Sequence, residues 1–255
     1  MTTEALPMNV VRRGAGAPLL LLHGFCGSAA GWAGLAQRLS ARFDVIAPDW
    51  PGFGASVRCT PCRSIEAMAG ELIALADALG LARFHVLGHS MSGFVVQQLL
   101  LQHGDRVDKA VLYGAGLSVR HGGRFESLSA TIERLRRDGS AATARGVCAT
   151  WFVEQQQAAP YEFCVEQGAA MDVDAGIAAL EACETVDFSG RLAAVANPVL
   201  VMLGDRDRTF QVDDAVRLAA ALPDAGLCVL PHCAHGAHWE RPEAFELALT
   251  GFLDL

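Results

Sequence analysis

Short apolar runs alternate with longer Ala- and Leu-rich segments along most of the chain. The runs are APLLLLHG, FDVIAPD, FHVLGHS, DKAVLYGAG, NPVLVMLGD and GLCVLPH. The segments between them have helical spacing of apolar positions, roughly over 32–40, 64–79, 92–103, 213–221 and 242–253. Strands that are apolar on both faces and alternate with helices predict an α/β fold, with a mostly parallel sheet between layers of helices.

The interval from 117 to 192 breaks this alternation. It contains helical patterns such as ESLSATIERLRRDG, AATARGVCATWFVEQQ, YEFCVEQGAAMD and AGIAALEAC, and no convincing strand. A structureless loop of that length is uncommon in a compact domain. We therefore predict a helical insertion over 117–192, placed within a domain formed by residues 1–116 and 193–255.

Composition narrows the class of protein. The 255 residues are 52% hydrophobic and 19% charged, which allows a large core. The net charge of −8 and the lack of a long Lys/Arg run argue against nucleic acid as a partner. The N-terminal stretch lacks the order of a secretory signal, and the apolar run at 19–22 falls far short of the ~20 residues that span a bilayer. We expect a soluble, cytoplasmic protein without a membrane partner; a homo-oligomer remains an open option.

The eight cysteines do not suggest a disulfide framework in a chain of this length. Cys59 and Cys62 have the spacing of a redox pair, but they do not join a strand to a helix and no second pair completes a zinc site. No His and Cys spacing indicates a metal-ligand set. We expect mostly reduced, buried thiols, no metal and no organic cofactor.

Polar residues cluster where the predicted strands end, which is where ligands bind in an open parallel sheet. Gly88, His89, Ser90, Met91 and Ser92 come close to the nucleophile-elbow pattern G-x-S-x-G, between a strand and a helix. We predict that Ser90 is a nucleophile. The alternative is a serine that only caps the helix.

A serine hydroxyl needs a base, and the base needs a partner that fixes its tautomer. The segment LPHCAHGAHWERPEAF offers His232, His235 and His238, and we favour His235 because it lies a short loop beyond the last strand. His232 is too close to the strand end, and His238 is assigned to loop support. LGDRDRTF offers Asp205 and Asp207. We favour Asp207, which lies further into the loop, and read Asp205 as a loop hydrogen-bonding residue.

The negative charge of a tetrahedral intermediate needs preorganised donors. We predict one at the main-chain N–H of Met91, where the helix starts. The other is expected in HGFCG, at the N–H of Phe25, with Gly24 allowing a close approach of the loop.

With these residues in place, the sequence resembles the α/β-hydrolase superfamily. The blocks LLLLHGFCGSAAGW, VIAPDWPGFGAS, VLGHSMSGFVV, PVLVMLGDRDRTF and HCAHGAHWERPEAF follow the order of that family. The resemblance implies the same roles for Ser90, Asp207 and His235, an oxyanion hole at Phe25 and Met91, and a mobile helical cap over 117–192. The chain departs from the pattern at Ser92, where glycine is usual.

Within the superfamily, Ser90 argues against haloalkane dehalogenases and epoxide hydrolases, which carry Asp at that position. The sequence looks like the branch that hydrolyses esters and lactones, including 3-oxoadipate enol-lactonases. Carbon–carbon hydrolases of ring-cleavage products and cofactor-free perhydrolases remain alternatives. A non-catalytic ligand receptor on the same scaffold is an alternative from another class.

Several residues are candidates for contact with a small ester or lactone substrate. We predict that His89 and the insertion's Trp151 and Phe152 bind it, with Phe163 adding to an acyl pocket.

Two further hypotheses concern charged side chains and thiols near the predicted site. Arg120 and Arg124 are candidates for holding an anionic group, although exposed loop arginines are favoured. Cys26 and Cys233 lie near predicted site residues, so bulky alkylation of these thiols is expected to block the site.

Overall fold

The computed structural model describes residues 8–120 and 124–254 of the chain. Its sheet has seven strands in the order β1-β3-β2-β4-β5-β6-β7. The strands are β1 (Val10–Gly14), β2 (Ala17–Leu22), β3 (Phe43–Pro48), β4 (Phe84–His89), β5 (Val107–Tyr113), β6 (Val199–Gly204) and β7 (Ala225–Leu230). All neighbours pair in parallel except β1, which runs antiparallel to β3. The predicted α/β fold with a mostly parallel sheet is confirmed.

Helices connect and flank these strands. They are α1 (Ala33–Leu39), α2 (Ile65–Ala78), α3 (Met91–His103), α4 (Leu128–Ala149), α5 (Tyr161–Ala169), α6 (Val173–Thr185), α7 (Val212–Ala220), α8 (Ala237–Glu240) and α9 (Pro242–Leu253). Across the described ranges, no helix is both long and apolar enough to cross a membrane.

The strand β1 is absent from the sequence prediction. Its residues VVRRG are mostly exposed, and it lies at the edge of the sheet. A short edge strand with two arginines lacks the apolar run that marked the other strands. Its pairing with β3 is what makes the sheet mixed.

Two cores lie on opposite faces of the sheet. On β2, Leu19 and Leu21 share a core with α1 and α9. Leu20 and Leu22, one position on, share the other core with α2 and α3. Successive side chains of a strand point to opposite faces, so this alternation buries every residue of the run LLLL. The carboxyl ends of the strands are thereby held firmly along one edge.

The predicted insertion contains α4, α5 and α6, between β5 and β6. Helix α4 is interrupted at Gly139, where φ is 78°. At the base of the insertion Ser118 bridges Asp187, and Phe188 donates its N–H to the carbonyl of Leu117 over 2.9 Å. The chain thus leaves and rejoins the sheet domain at one place. The exact boundaries and the role of a cap stay predictions.

Candidate active site

Ser90 occupies a sharp turn between β4 and α3. Its φ of 56° and ψ of −115° lie in a region that residues with a Cβ rarely adopt. Backbone strain of this kind costs on the order of 1–3 kcal/mol. The N–H of Ser90 donates to the carbonyl of Tyr113, and its carbonyl accepts from the N–H of Gly93, each over 2.8 Å. At Gly88 a Cβ would lie 2.4 Å from the carbonyl oxygen of Ser92, so the turn closes only around glycine.

Ser92, the departure from the family pattern, has a structural role. Its side chain is fully buried and donates a hydrogen bond to the carbonyl of His23. The indole Nε1–H of Trp50 donates to the same hydroxyl over 2.9 Å. A glycine would leave both groups without this partner. Ser92 therefore ties the start of α3 to the loop that follows β2.

The loop after β2 is fixed by the ring of His23. The main-chain N–H of Trp50 donates to its Nε2 over 3.0 Å. The ring proton therefore sits on Nδ1, which lies 2.9 Å from the carbonyl oxygen of Gly24 and donates to it. Burial lowers the pKa of His23, with opposing contributions from the Gly24 carbonyl and Asp49. A neutral imidazole thus holds the loop in place.

This loop lies directly against Ser90. A Cβ at Gly24 would be 2.9 Å from the Cβ of Ser90 and 3.1 Å from the carbonyl oxygen of His89. Phe25 follows Gly24, and Met91 begins α3, where an N–H has no intrahelical acceptor. Phe25, Met91 and Ser90 line one cavity. The structure brings the predicted oxyanion residues beside the serine, and their role stays a prediction.

His235 and Asp207 form a buried pair. Nδ1 of His235 lies 2.7 Å from Oδ2 of Asp207, and both side chains are 1% exposed. The other carboxylate oxygen accepts the main-chain N–H groups of Thr209 and Phe210 over 2.7 and 3.1 Å. Gly114, with φ at 56°, lets the end of β5 approach; a Cβ there would be 3.0 Å from the His235 ring. The carboxylate is thus positioned to fix the tautomer of the imidazole.

The alternative candidates for the orienting acid and the base do not take part in this pair. Asp205 is exposed and accepts the main-chain N–H of Cys233 over 3.3 Å, in keeping with a loop role. His232 is exposed beside the guanidinium of Arg206, 3.2 Å away. His238 is buried, and its pKa falls to about 3 because of burial and then the charge of the neighbouring His235. A histidine that stays neutral at working pH suits a supporting role.

Two side chains converge on the main-chain carbonyl of His235. The hydroxyl of Tyr113 donates to it over 2.7 Å, and Nε2–H of His89 donates to it over 3.0 Å. Their rings stack with centroids 4.4 Å apart. Sequence reasoning missed Tyr113; the only available signal was an aromatic residue at the end of β5. The structure thus gives His89, predicted to bind substrate, a second role beneath the His235 loop.

Among the described residues, two sets line cavities next to this region. The Ser90 cavity comprises about 290 Å³ of space between and outside protein atoms, part of it open to solvent, and the Trp151 cavity about 320 Å³ on the same measure. Residues around the Ser90 cavity include Phe25, Ser90, Met91, Arg124, Cys183 and Phe210. Residues around the Trp151 cavity include Gly24, His89, Trp151, Phe163, His238 and Trp239. The loop that contains Gly24 and Phe25 borders both cavities.

The residues expected to contact substrate do not line the Ser90 cavity. Trp151, His89 and Phe163 line the Trp151 cavity rather than the Ser90 cavity. Phe152 is fully buried, packs 5.8 Å from the ring of Trp239, and lines neither cavity, so the structure does not support substrate contact there. It lies three residues beyond the last residue of α4, and helix periodicity does not indicate which way the chain turns there.

Two other expectations, an exposed Arg124 and site thiols open to a bulky reagent, are not met. Arg124 is largely buried and lines the Ser90 cavity, whereas Arg120 is exposed as expected. Cys26 and Cys233 are fully buried, and burial raises the pKa of Cys233 to about 12. A bulky reagent is therefore not expected to reach either thiol in the folded protein. Residues 8–120 and 124–254 contain no cluster of His, Cys, Asp or Glu that would hold a metal ion.

The insertion is fastened to the loop that carries His235. The N–H of Gly236 donates to the carbonyl of Trp151 over 2.7 Å. The carboxylate of Glu240 accepts the N–H of Val153 over 2.7 Å and that of Ala234 over 2.6 Å. The segment after α4 and the loop after β7 therefore form one hydrogen-bonded unit.

Comparison with known proteins identifies the family to which this fold belongs. The family model of the alpha/beta hydrolase fold matches residues 17–242. The chain belongs to the α/β-hydrolase family, and it is a hydrolase, as the sequence resemblance predicted.

The names of individual relatives give different substrates. A protein of Agrobacterium fabrum, provisionally named the carbamate hydrolase RutD, is 31% identical over 255 residues, covering 95% of each chain. A 2-hydroxy-6-oxononadienedioate/2-hydroxy-6-oxononatrienedioate hydrolase of Pseudomonas putida is 29% identical, covering 92% of this chain and 87% of the relative. The enol-lactonase of Burkholderia xenovorans has a similar structure, with a TM-score of 0.89, 24% identity and coverage of 97% and 96%, a likeness of fold.

Proposed function

We propose that this protein is a serine hydrolase that cleaves a carboxylic ester or a lactone of a small substrate through an acyl-enzyme on Ser90. The observation that carries the proposal is the strained Ser90, held against the Gly24 loop. The imidazole of the residue before it, His89, has its ring centroid 4.5 Å from that of His235, which is paired with Asp207. Nucleophile, base and orienting acid are the groups that acyl transfer to water requires.

The first half of the reaction forms the ester bond to Ser90. His235 takes the hydroxyl proton as Oγ of Ser90 attacks the substrate carbonyl. The N–H groups of Phe25 and Met91 receive the oxyanion. The carbon–oxygen bond to the leaving group then breaks, and the imidazolium of His235 returns its proton to that oxygen.

The second half releases the acid. His235 removes a proton from water, which attacks the acyl carbon, and the Ser90 oxygen leaves with the proton that the imidazolium returns. Asp207 keeps Nδ1–H directed toward its carboxylate and favours the imidazolium that forms in each half. The backbone bonds to Asp207 keep that carboxylate in position throughout.

Carbon–carbon bond hydrolysis is the second candidate function. The specific observation that favours it is the 29% identity to the Pseudomonas putida hydrolase of a nonadienedioate. A perhydrolase remains an alternative reaction on the same residues. A pure ligand receptor would gain nothing from a strained serine beside a buried His–Asp pair, which argues against that class.

We further propose that residues 117–192 act as a cap over Ser90. We also propose that the protein works in the cytoplasm on a small-molecule substrate. Trp151 and His89 stay candidates for substrate contact, through the Trp151 cavity.

The test is hydrolysis of 4-nitrophenyl esters from acetate to long acyl chains. We expect turnover by the native enzyme and a loss on the order of 10⁴–10⁶-fold in kcat in Ser90→Ala. Ser189→Ala, at an exposed serine, is the matched control and is expected to retain activity. Absence of turnover by the native protein would refute ester hydrolysis, and a vinylogous diketone acid would then test carbon–carbon cleavage.

A further inference from the structure

Arg124 is a mostly buried cation on the wall of the Ser90 cavity. It lines that cavity together with Phe25 and Met91, beside the serine. Its Nε atom is fully buried and has no hydrogen-bond partner in the described part of the chain. Its guanidinium lies over the ring of the adjacent Phe125, 4.9 Å from the centroid. The contact with an aromatic face orients the guanidinium but satisfies none of its N–H donors.

The neighbouring carboxylates are committed to other partners. Both oxygens of Asp207 bind His235 and main-chain N–H groups. Glu126 accepts the hydroxyl of Thr131 over 2.7 Å and forms an ion pair with Arg134. Arg124 is therefore left without a counter-ion from these residues.

Other side chains of the cavity wall do not balance the charge either. Among the described residues that line the Ser90 cavity, Arg124 is the only charged one. Burial raises the pKa of Cys183 to about 12, which keeps that thiol neutral. Burial also lowers the pKa of Arg124 itself, yet a guanidinium remains protonated in proteins. A charge that is mostly withdrawn from water and lacks a counter-ion is unfavourable, and a bound anion would offset that cost.

Resting on the proposed function, we propose that Arg124 binds a free carboxylate of the substrate, so that the enzyme acts on small esters or lactones of dicarboxylic acids. A guanidinium offers a planar fork that matches a carboxylate in two parallel hydrogen bonds. The remaining wall of the cavity is mostly apolar and suits a short methylene chain between the two carbonyl groups. Because Ser90 and Arg124 line the same cavity, the chain between the two carbonyl groups is short.

The experiment compares two esters that differ in one charge. The probes are the 4-nitrophenyl half-ester of adipic acid and its neutral methyl 4-nitrophenyl diester; adipate is long enough to disfavour attack by its own carboxylate. In the native enzyme we expect kcat/KM to be higher for the half-ester. Arg124→Met is expected to lower the ratio of charged to neutral kcat/KM by roughly 10–100-fold, mainly through KM.

Two further variants test whether the effect requires the guanidinium fork and whether it requires this position. Arg124→Lys keeps the charge but loses the fork, so an intermediate ratio is expected. Arg120→Met removes an exposed arginine from the same stretch of chain and is expected to keep the native ratio. A Ser90-dependent activity whose ratio is unchanged in Arg124→Met would overturn the carboxylate subsite and leave ester hydrolysis standing.

Binding separates the two proposals if neither ester is turned over. Adipate dianion is then titrated into the native protein and into Arg124→Met by calorimetry. Binding that is lost in the variant supports the subsite although ester hydrolysis has failed. Equal binding by both proteins, or none by the native protein, overturns it.

Discussion

The hydroxyl of Tyr113 donates a hydrogen bond to the main-chain carbonyl of His235 over 2.7 Å. His89 donates to the same oxygen from Nε2 over 3.0 Å. Both donors are buried, and their rings are stacked. The peptide that carries the proposed base is thus fixed from the sheet side, independently of the carboxylate that binds its ring.

Replacement of Tyr113 by Phe should impair catalysis more than binding. The His235 carbonyl would lose one donor, and the loop would sample positions in which the imidazole is misplaced. We expect a fall of about 10-fold in kcat with little change in KM, since small displacements from reactive geometry are costly. Steady-state kinetics on the fastest 4-nitrophenyl ester measures both. Tyr161→Phe, which removes a hydroxyl bonded to the Arg145 carbonyl, is the control; equal losses in the two variants would contradict the positioning role.

Removal of the Ser92 hydroxyl should destabilise the fold. In Ser92→Ala the buried Trp50 Nε1–H and the His23 carbonyl each lose the hydroxyl but keep their 3.2 Å hydrogen bond to each other, so the expected cost is about 1 kcal/mol. Ser92→Gly restores the usual family pattern but adds a helix-propensity cost of up to ~1 kcal/mol relative to alanine. The order native, alanine, glycine is therefore expected in urea unfolding at pH 7. A glycine variant as stable as the native protein would show that the hydroxyl contributes nothing.

Acid should destabilise the protein through its buried histidines. Burial lowers the pKa of His23, lowers that of His89 well below its usual value, and lowers that of His238 to about 3. Below about pH 6.5 the unfolded chain binds protons that these folded sites exclude, so stability falls as the pH drops toward 3. Each such histidine contributes up to about 1.4 kcal/mol per pH unit.

Unfolding free energies at pH 7 and pH 5 test this dependence. For His238 alone the loss between them is about 2 kcal/mol, accrued below its unperturbed pKa. His238→Asn should reduce the pH dependence by that amount, and His232→Asn, at an exposed site, is the comparison variant. Identical pH dependence in the two variants would rule out a contribution from burial of His238.

Thiol reagents should modify the native enzyme without inactivating it. Cys26 and Cys233 are fully buried, whereas Cys59 is partly exposed. We expect Cys59 to react first with a bulky reagent at pH 8, with activity retained. Mass spectrometry of digests identifies the labelled residue, and Cys59→Ser should remove the fast phase. Inactivation that keeps pace with labelling of Cys26 would show that the loop beside Phe25 opens.

The sequence was informative about the fold wherever burial was continuous. A short apolar run such as LLLL in β2 favours a strand covered on both faces, and the helix predicted over 64–79 is α2, whose N-cap is Ser64. The edge strand β1 was not predicted from the sequence. Its side chains are mostly exposed, so no apolar pattern distinguishes it from a loop.

Local motifs predicted the residues near the site but not their surroundings. The turn at Ser90 and the loop containing Asp207 follow from short segments, because strand ends of a parallel sheet meet at one edge. The burial of Arg124 depends on how the insertion packs over the sheet, and that packing has no local signature. The same holds for Phe152, whose side chain turns into the core just after α4 ends.

The backbone at Ser90 has a consequence for the free energy of folding. At φ 56° a glycine would adopt this conformation without the strain that a residue with a Cβ carries. The folded state therefore gives up on the order of 1–3 kcal/mol at this one turn. What that energy maintains is a hydroxyl oxygen at a fixed position on the edge of the sheet.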